Sequence, residues 1–440
     1  MKTIAQVSQA MQTILGPVAD RIGWESGFTQ RRSKLTGSAF VQALVFSVMG
    51  DADLTYTNLK AGAMTAGVNI SQQGLEQRFT AKSARLCQGV LEEAVRQVIL
   101  PEPGVLPLLQ RFAGVYIRDS STIGLPEILG KVWAGGGSSH GSHAGLKLQV
   151  RLEVCSGQLA GPVLRAGREH DGKSPYQKEE LPPGAVRMGD LGFFSLGQFA
   201  SDQLHQVYWL SRYKAKTLLY DAQGQAIDLL AWLHQQNPHQ SERTVYLGKN
   251  QHLACRLLAE RVPAAVIEQR KRKLKDYARK KQTPLTTELL ALAEWTLIIT
   301  NIPISLLSIP EALALIRIRW QIELLFRMWK SLFKIDEWRS QKPWRILTEL
   351  YAKLINVVIL HWTFFVIRLW QSPNRSLWKA AIVIRHFATA FALALPNLTA
   401  LAQVLSKLQD LFQSTCLLNP RKTHPNTYQW LENPLCASLA

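Results

Sequence analysis

In the stretch IRIRWQIELLFRMWK, residues 316–330, one carboxylate, Glu323, stands among Arg317, Arg319, Arg327 and Lys330. Two more carboxylates close strand-like runs: Asp119 after GVYIR and Asp190 after AVRMG. Two strands and a helix thus offer three hard oxygen donors, a set suited to two Mg²⁺ ions. Ions roughly 3.5–4 Å apart can activate a water or a 3′-hydroxyl and stabilise the leaving oxygen in an in-line phosphoryl displacement. The cations flanking Glu323 would then grip the phosphates around the scissile bond. A second reading needs no chemistry: a solvated helix face laced with i,i+4 ion pairs worth about 0.2–0.5 kcal/mol each. On the helix alone that reading is the simpler one.

At about 100° per residue, the run reads as a single helix with two faces. Ile318, Ile322, Leu325 and Trp329 form one stripe that should face a core. Ile316, Arg319, Glu323, Phe326, Arg327 and Lys330 share the neighbouring arc.

The elements around these residues change texture along the chain. Residues 1 to about 100 read as helices, with Thr36 and Ser38 as candidate caps for one of them. Within them, Leu59 and Met64 mark a helix, AGVNI a glycine-containing turn, and Ser71 the cap of a second helix carrying Arg78, Lys82 and Arg85. That is the outline of a helix-turn-helix, whose second helix would enter a major groove, although two helices around a glycine also occur in proteins that never touch DNA. Beyond Pro107 strand texture takes over. LKLQVRLEV alternates as a half-buried strand does, LAGPVLRA is a partner that Pro162 confines to an edge, and QVYWLSRYK and EWTLIITNIP are further strands. Between the last two, residues 217–290 carry a basic helix, VIEQRKRKLKDYARKKQ. From about 345 onward the chain reads as helices.

Composition supports the chemistry. Lys and Arg number 51 against 32 Asp and Glu, a net charge of +19 spread over several segments, which favours nucleic acid over a membrane surface as partner. Five scattered cysteines without a CxxC exclude a disulfide framework and a zinc site and fit a reducing cytoplasm. The N-terminus lacks the apolar core of a signal peptide, and LINVVILHWTFFVI is too short for a span, so it reads as a buried helix. No Walker A, GxSxG or strand-borne GxGxxG motif is present, which sets aside nucleotide hydrolysis and serine chemistry. His140 and His143 form an HxxH on a Gly/Ser loop without a third ligand, and His170 and Asp171 fall in a turn.

The glutamate run resembles the Tyr-x2-Arg-x3-Glu-x6-Lys signature of the insertion-sequence four family of bacterial transposases, DDE enzymes with an RNase H-like core. Arg319, Glu323 and Lys330 match at the family spacing, and Ile316 stands at the tyrosine place. YIRDSSTIGLP and MGDLGFFS are similar to the family's two aspartate segments, and WTLIITNIP to the strand before its glutamate helix. FTQRRSKL and ISQQGLEQRF extend the likeness more loosely.

The resemblance implies a mixed α/β fold: an RNase H-like core of sheet and flanking helices over 110–216 and 291–342, interrupted by a β-rich insertion at 217–290. A helical DNA-binding region would cover 1–100 and a helical region 343–440. It further implies a metal triad of Asp119, Asp190 and Glu323 holding two Mg²⁺ or Mn²⁺ ions, and cut-and-paste transposition on double-stranded DNA. The protein would bind its own element's terminal inverted repeats as a homodimer in a synaptic complex, in the cytoplasm. Arg319, Arg327, Lys330, Arg212 and Arg78 would contact DNA, as would Arg270, Lys271, Arg272 and Lys273 of the basic helix. Trp295 stands where relatives stack a tryptophan on a flipped base; a buried strand aromatic is the other reading of that residue. The competing functions are a non-catalytic DNA-binding protein or decayed transposase, and a structure-specific nuclease using the same triad.

Overall fold

A helix that is apolar on every side must lie inside a protein or a membrane. Pro343–Val366 is mostly apolar, and every residue from Arg345 to Val366, the charged ones included, is buried. Among the described residues it is the one straight helix long and apolar enough to cross a bilayer, and its apolar window lies wholly inside the protein. The computed structural model describes residues 2–31, 33–100, 104, 106–137, 143–236, 240–372, 374–419 and 426–434. They form two units: one of Met1–Val105, Asp119–Glu169 and Gln321–Asn419, the other of Leu106–Arg118, His170–Trp320 and Pro420–Ala440.

In the first unit the Pro343–Val366 helix packs against the Ala81–Arg96 and Gly37–Gly50 helices. Its buried polar groups tie neighbouring segments to it. Arg345 Nε bonds the Glu349 carboxylate at 2.7 Å, and its guanidinium lies 4.1 Å from the centre of the Tyr56 ring. Lys353 Nζ donates to the carbonyls of Lys334 (2.9 Å) and Glu337 (2.7 Å), clasping the chain just after the Trp320–Phe333 helix. Trp133 Nε1 donates to the Tyr351 hydroxyl at 2.9 Å, fixing the loop downstream of Asp119.

Two N-terminal helices start at caps that the sequence offers, Thr36 and Ser71, and a third starts at Thr55. Thr36 accepts from Ala39 N, Thr55 from Asn58 N and Ser71 from Gly74 N. The helix-turn-helix outline fails in its second half. The helix capped by Ser71 ends at Glu76, and a new capping box at Thr80 and Ser83 opens the separate Ala81–Arg96 helix. Arg78 therefore lies in a turn, and Lys82 and Arg85 on another helix.

Among the described residues, nine strands pair in the order β3-β2-β1-β4-β5-β9-β8-β7-β6. They are β1 Val115–Leu125, β2 Ala144–Glu153, β3 Leu159–Ala166, β4 Val186–Gly189, β5 Tyr208–Arg212, β6 Leu219–Tyr220, β7 Gln240–Leu247, β8 Leu253–Arg261 and β9 Trp295–Thr300. β1 pairs parallel with β4 and β4 parallel with β5, while β9 is antiparallel to β5 and β8. The run 3-2-1-4-5 forms one side of this mixed sheet, and strands β6–β8 from the 217–290 segment widen it beyond β9. β3 ends the sheet, as Pro162 requires.

Two strand expectations change. β1 does not stop at Asp119 but continues through SSTIGL, so Asp119 sits mid-strand. β2 is buried on both faces rather than one. Its polar residues are satisfied inside the protein: Lys147 Nζ donates to the Glu169 carbonyl, and Glu153 accepts the amides of Cys155 (2.9 Å) and Ser156 (2.8 Å).

In the second unit, one sheet face carries the core of Trp209, Leu257, Trp295, Leu297 and Ile299 with Trp232 and Leu233. Asn301 locks β5 beside β9. Its Oδ1 accepts from Trp209 N (2.8 Å), and its Nδ2 donates to the Val207 carbonyl (3.2 Å). Asn301→Ala leaves both groups without these partners. It should cost about 1–3 kcal/mol of unfolding free energy in urea titration.

Candidate active site

In the second unit, β4 ends at Gly189 and the chain turns at once, with Asp190 as the cap of a 3-10 turn over Leu191–Phe193. The Asp190 carboxylate accepts from Gly192 N at 2.9 Å. A Cβ on Gly192 would stand 3.0 Å from Asp190 Oδ1 and 3.1 Å from Asp171 Oδ2, so two carboxylates flank this glycine. Asp190 thus ends its strand as expected, and Asp171 lies close by.

Behind Asp190 lie two buried guanidiniums that the spacing of carboxylates does not reveal. Arg118 and Arg187 are 3% and 4% exposed. Arg187 Nε bonds both oxygens of Asp202, at 2.9 and 3.1 Å, and its Nη atoms donate to the carbonyls of Tyr176 (3.2 Å) and Glu179 (2.6 Å). Arg118 Nη1 donates to the carbonyls of Tyr176 (3.2 Å) and Gln177 (3.1 Å), and Nη2 to that of Phe193 (3.4 Å). Burial, and then the like charge of Arg187, draw the Arg118 pKa down to about 9, which leaves it protonated at neutral pH. The sequence does carry a signal for the pair: an arginine inside each apolar run that leads to an aspartate, VYIRD and VRMGD.

In the first unit, Asp119 is 9% exposed, and its Oδ1 accepts from Ser120 N at 2.7 Å. Glu323 is half-buried in the first turn of the Trp320–Phe333 helix, where the helix dipole favours an anion. Lys330, seven residues on, donates from Nζ to the Thr122 carbonyl of β1 at 3.2 Å. The glutamate helix therefore lies against the strand that carries Asp119. Ile322, Leu325 and Trp329 are buried as the core stripe predicts.

The rest of the run departs from expectation. It is two helices, Ile309–Ile318 and Trp320–Phe333, interrupted at Arg319. Ile316 and Phe326, placed by periodicity on the polar arc, are buried, and Phe326 packs edge-on against Trp329 with ring centres 5.4 Å apart. Apolar side chains on an arc beside a core are drawn into it. Arg319 is half-buried, and Arg327 is exposed.

The structure also sorts the other expected DNA contacts. Arg212 is exposed at the end of β5, and Arg272 and Lys273 are exposed on the Ala264–Lys281 helix, which has no buried residue. Arg270 and Lys271 of the same helix are engaged within the protein. Arg270 donates to the Trp295 carbonyl (2.9 Å) and Thr296 Oγ1 (2.9 Å), and Lys271 pairs with Glu294 (2.9 Å). Burial first, and then the like charges of Arg212 and Arg317, lower the Arg270 pKa. Trp295 is 9% exposed and part of the sheet core, as the buried-aromatic reading of that residue expects. An indole at the start of a strand paired on both sides has its face covered by neighbouring side chains. His140, one half of the HxxH, lies outside the described residues.

Carboxylate oxygens are the donor type that Mg²⁺ and Mn²⁺ prefer. Among the described residues, no three His, Cys, Asp or Glu side chains are already gathered closely enough to hold a metal ion.

A family model for the transposase DDE domain matches residues 110–359. The chain belongs to the transposase DDE domain family. It is a DNA transposase, as the ordered motifs implied, and the family carries a dependence on divalent metal. The transposase is 27% identical over 446 residues to the transposase for insertion sequence element IS231F of Bacillus thuringiensis subsp. israelensis, covering 95% of this chain and 92% of that protein. It is 23% identical to the transposase for insertion sequence element IS1151 of Clostridium perfringens, covering 77% and 76%. Among solved structures it is similar to a piggyBac transposase synaptic complex with hairpin DNA, at 9% identity and a TM-score of 0.45 over 97% of this chain and 84% of that one.

The buried network gives a direct stability test. Asp202→Ala strips Arg187 of its only carboxylate partner among the described residues. The loss should be about 3–5 kcal/mol, the cost of stranding a buried charge, read as a lower denaturation midpoint.

Proposed function

We propose that Asp119, Asp190 and Glu323 are the metal-binding triad of this transposase and that it excises and joins DNA by successive phosphoryl transfers. The observation that carries this reading is the β1–β4 register: Arg118 pairs with Gly189, and Asp119 and Asp190 are the next residue on each chain segment. The Lys330–Thr122 bond supports the third member, because it holds the glutamate helix against β1.

The ions in question are two Mg²⁺ or Mn²⁺, and when bound they supply activation of a water or 3′-hydroxyl and charge stabilisation at the leaving oxygen. The side chains do the rest. The three carboxylates would hold the hard cations through oxygen donors. Arg319 and Arg327 bracket Glu323 by four residues on either side, and with Lys330 they bind the flanking phosphates. Arg212, Arg272 and Lys273 track the DNA backbone outside the scissile bond, and Arg78 contacts DNA from the turn it occupies. Arg270, Lys271 and Trp295 do not take part, since their side chains serve the fold.

In this reading residues 1–100 bind DNA, 110–216 and 291–342 form the catalytic core, 217–290 are its insertion and 343–440 a helical support. The substrates are the terminal inverted repeats of the protein's own element and a target duplex, brought together by two copies of the transposase in the bacterial cytoplasm. Ile316 is buried where the signature it resembles has tyrosine, so it contributes packing and no phosphate bond.

Asp119→Asn, Asp190→Asn and Glu323→Gln should each abolish strand cleavage of a duplex carrying the element's end, while binding to that duplex in EDTA persists. Wild-type cutting by all three would show the triad to be wrong. A separate measurement addresses the basic helix. Arg272→Ala with Lys273→Ala should make the plot of log binding constant against log salt shallower, by about 0.9 for each phosphate that the pair neutralises. The preference among sequences should not change.

A further inference from the structure

Two cations buried on one strand pair with a single ion-paired carboxylate are costly. β1 and β4 nevertheless carry such a pair. Tyr116 is registered with Arg187, and Arg118 lies two residues beyond Tyr116, so both arginines project from the same sheet face. Asp202 is the carboxylate bonded to Arg187. Arg118 donates to main-chain carbonyls, and its buried Nε makes no hydrogen bond.

What these carbonyls have in common is where they lie. Tyr176, Gln177 and Glu179 belong to the segment that begins at Asp171, and Phe193 closes the turn that Asp190 caps. Both arginines converge on the Tyr176 carbonyl. Gln177 Nε2 adds a second donor to the Phe193 carbonyl, at 3.4 Å. The Arg118 guanidinium also lies 5.2 Å from the centre of the Phe193 ring. Gly189 completes the fit: a Cβ there would stand 3.2 Å from Phe193 Cβ and 3.3 Å from Arg118 Nε, so the residue before Asp190 is cut away to let the guanidinium through.

We infer that Arg118 and Arg187 are positioning residues for Asp190. They clamp the 171–179 segment and the 191–193 turn from behind, and so fix the direction in which Asp190 presents its carboxylate. Neither arginine touches the reacting atoms. The inference rests on Asp190 being a metal ligand, and it goes beyond the triad because it names what aims one of its members. Outer partners of a metal ligand commonly change metal affinity by about 10–100-fold when removed. Lysine cannot replace the clamp, since an ammonium lacks the planar fork that reaches carbonyls on two segments at once.

The test titrates Mn²⁺ by calorimetry into full-length transposase bound to an end-carrying duplex, for wild type, Arg118→Lys, Gly189→Ala and Asp190→Asn. Circular dichroism and duplex binding in EDTA report whether each variant is folded. The expected result is a folded Arg118→Lys whose Mn²⁺ affinity falls about 10-fold or more, with a smaller fall in Gly189→Ala, where the guanidinium is displaced but kept. A purely structural role would lower the denaturation midpoint and leave the Mn²⁺ affinity of the folded protein unchanged, and that result overturns the inference. Where Arg118→Lys does not fold, Gly189→Ala decides by the same criterion. If neither folds, the arginines support the unit as a whole and the inference is lost. Wild-type Mn²⁺ affinity in Asp190→Asn would instead remove Asp190 from the triad. Loss there, with Arg118→Lys unchanged, removes only the clamp.

Discussion

Parallel strands β1 and β4 meet with Tyr116 against Arg187 and Arg118 against Gly189, and this register decides which residue follows the last paired position on each segment. Side chains alternate across a sheet, so slipping one strand by a residue would move its arginine to the other face. The buried guanidiniums would then lose the carbonyls and the carboxylate that make them tolerable. The register is thus enforced by charge as well as by apolar packing. The same register leaves an aspartate as the next residue on both segments. In the proposed triad, the placing of both aspartates follows from how two arginines are buried.

The glutamate arrives by different means. Its helix is held by an apolar stripe of Ile322, Leu325 and Trp329 and by Lys330 on the Thr122 carbonyl. The chain after the helix is gripped by Lys353 from within the Pro343–Val366 helix. That core helix carries Arg345, Glu349 and Lys353 in its interior, each with polar partners, and burial pushes the Glu349 carboxyl up despite its bond to Arg345. A buried polar group that finds partners on several segments specifies one arrangement of them, because any other leaves it unsatisfied. The polar residues of the core helix serve to orient the elements around it.

Much of this was legible in the order of the motifs. The strands around Asp119 and Asp190, the edge position of Pro162, the caps at Thr36 and Ser71, and the buried character of LINVVILHWTFFVI all follow from local chemistry. What local chemistry could not supply is where a side chain is satisfied by something distant in sequence. Lys147 and Glu153 alternate with leucines as if facing water, yet they bond backbone within the fold. Arg270 and Lys271 look like part of a basic track, yet they bond the segment around Trp295. Helical periodicity placed Ile316 and Phe326 with the charged arc because it knows nothing of a break at Arg319 or of how far the core extends. The second helix of the expected DNA-binding outline was lost to a competing cap at Thr80, a local signal that the longer pattern obscured.

In the proposed triad Asp119, Asp190 and Glu323, distant in sequence, serve one metal site. Replacing Mg²⁺ with Fe²⁺ in the end-bound transposase and adding peroxide generates hydroxyl radicals at the metal, which cut the nearest backbone. One shared site predicts polypeptide cuts at three places, around residues 119, 190 and 323, all suppressed by excess Mg²⁺. Cuts confined to other segments, or cuts at these three places that excess Mg²⁺ does not suppress, would contradict it.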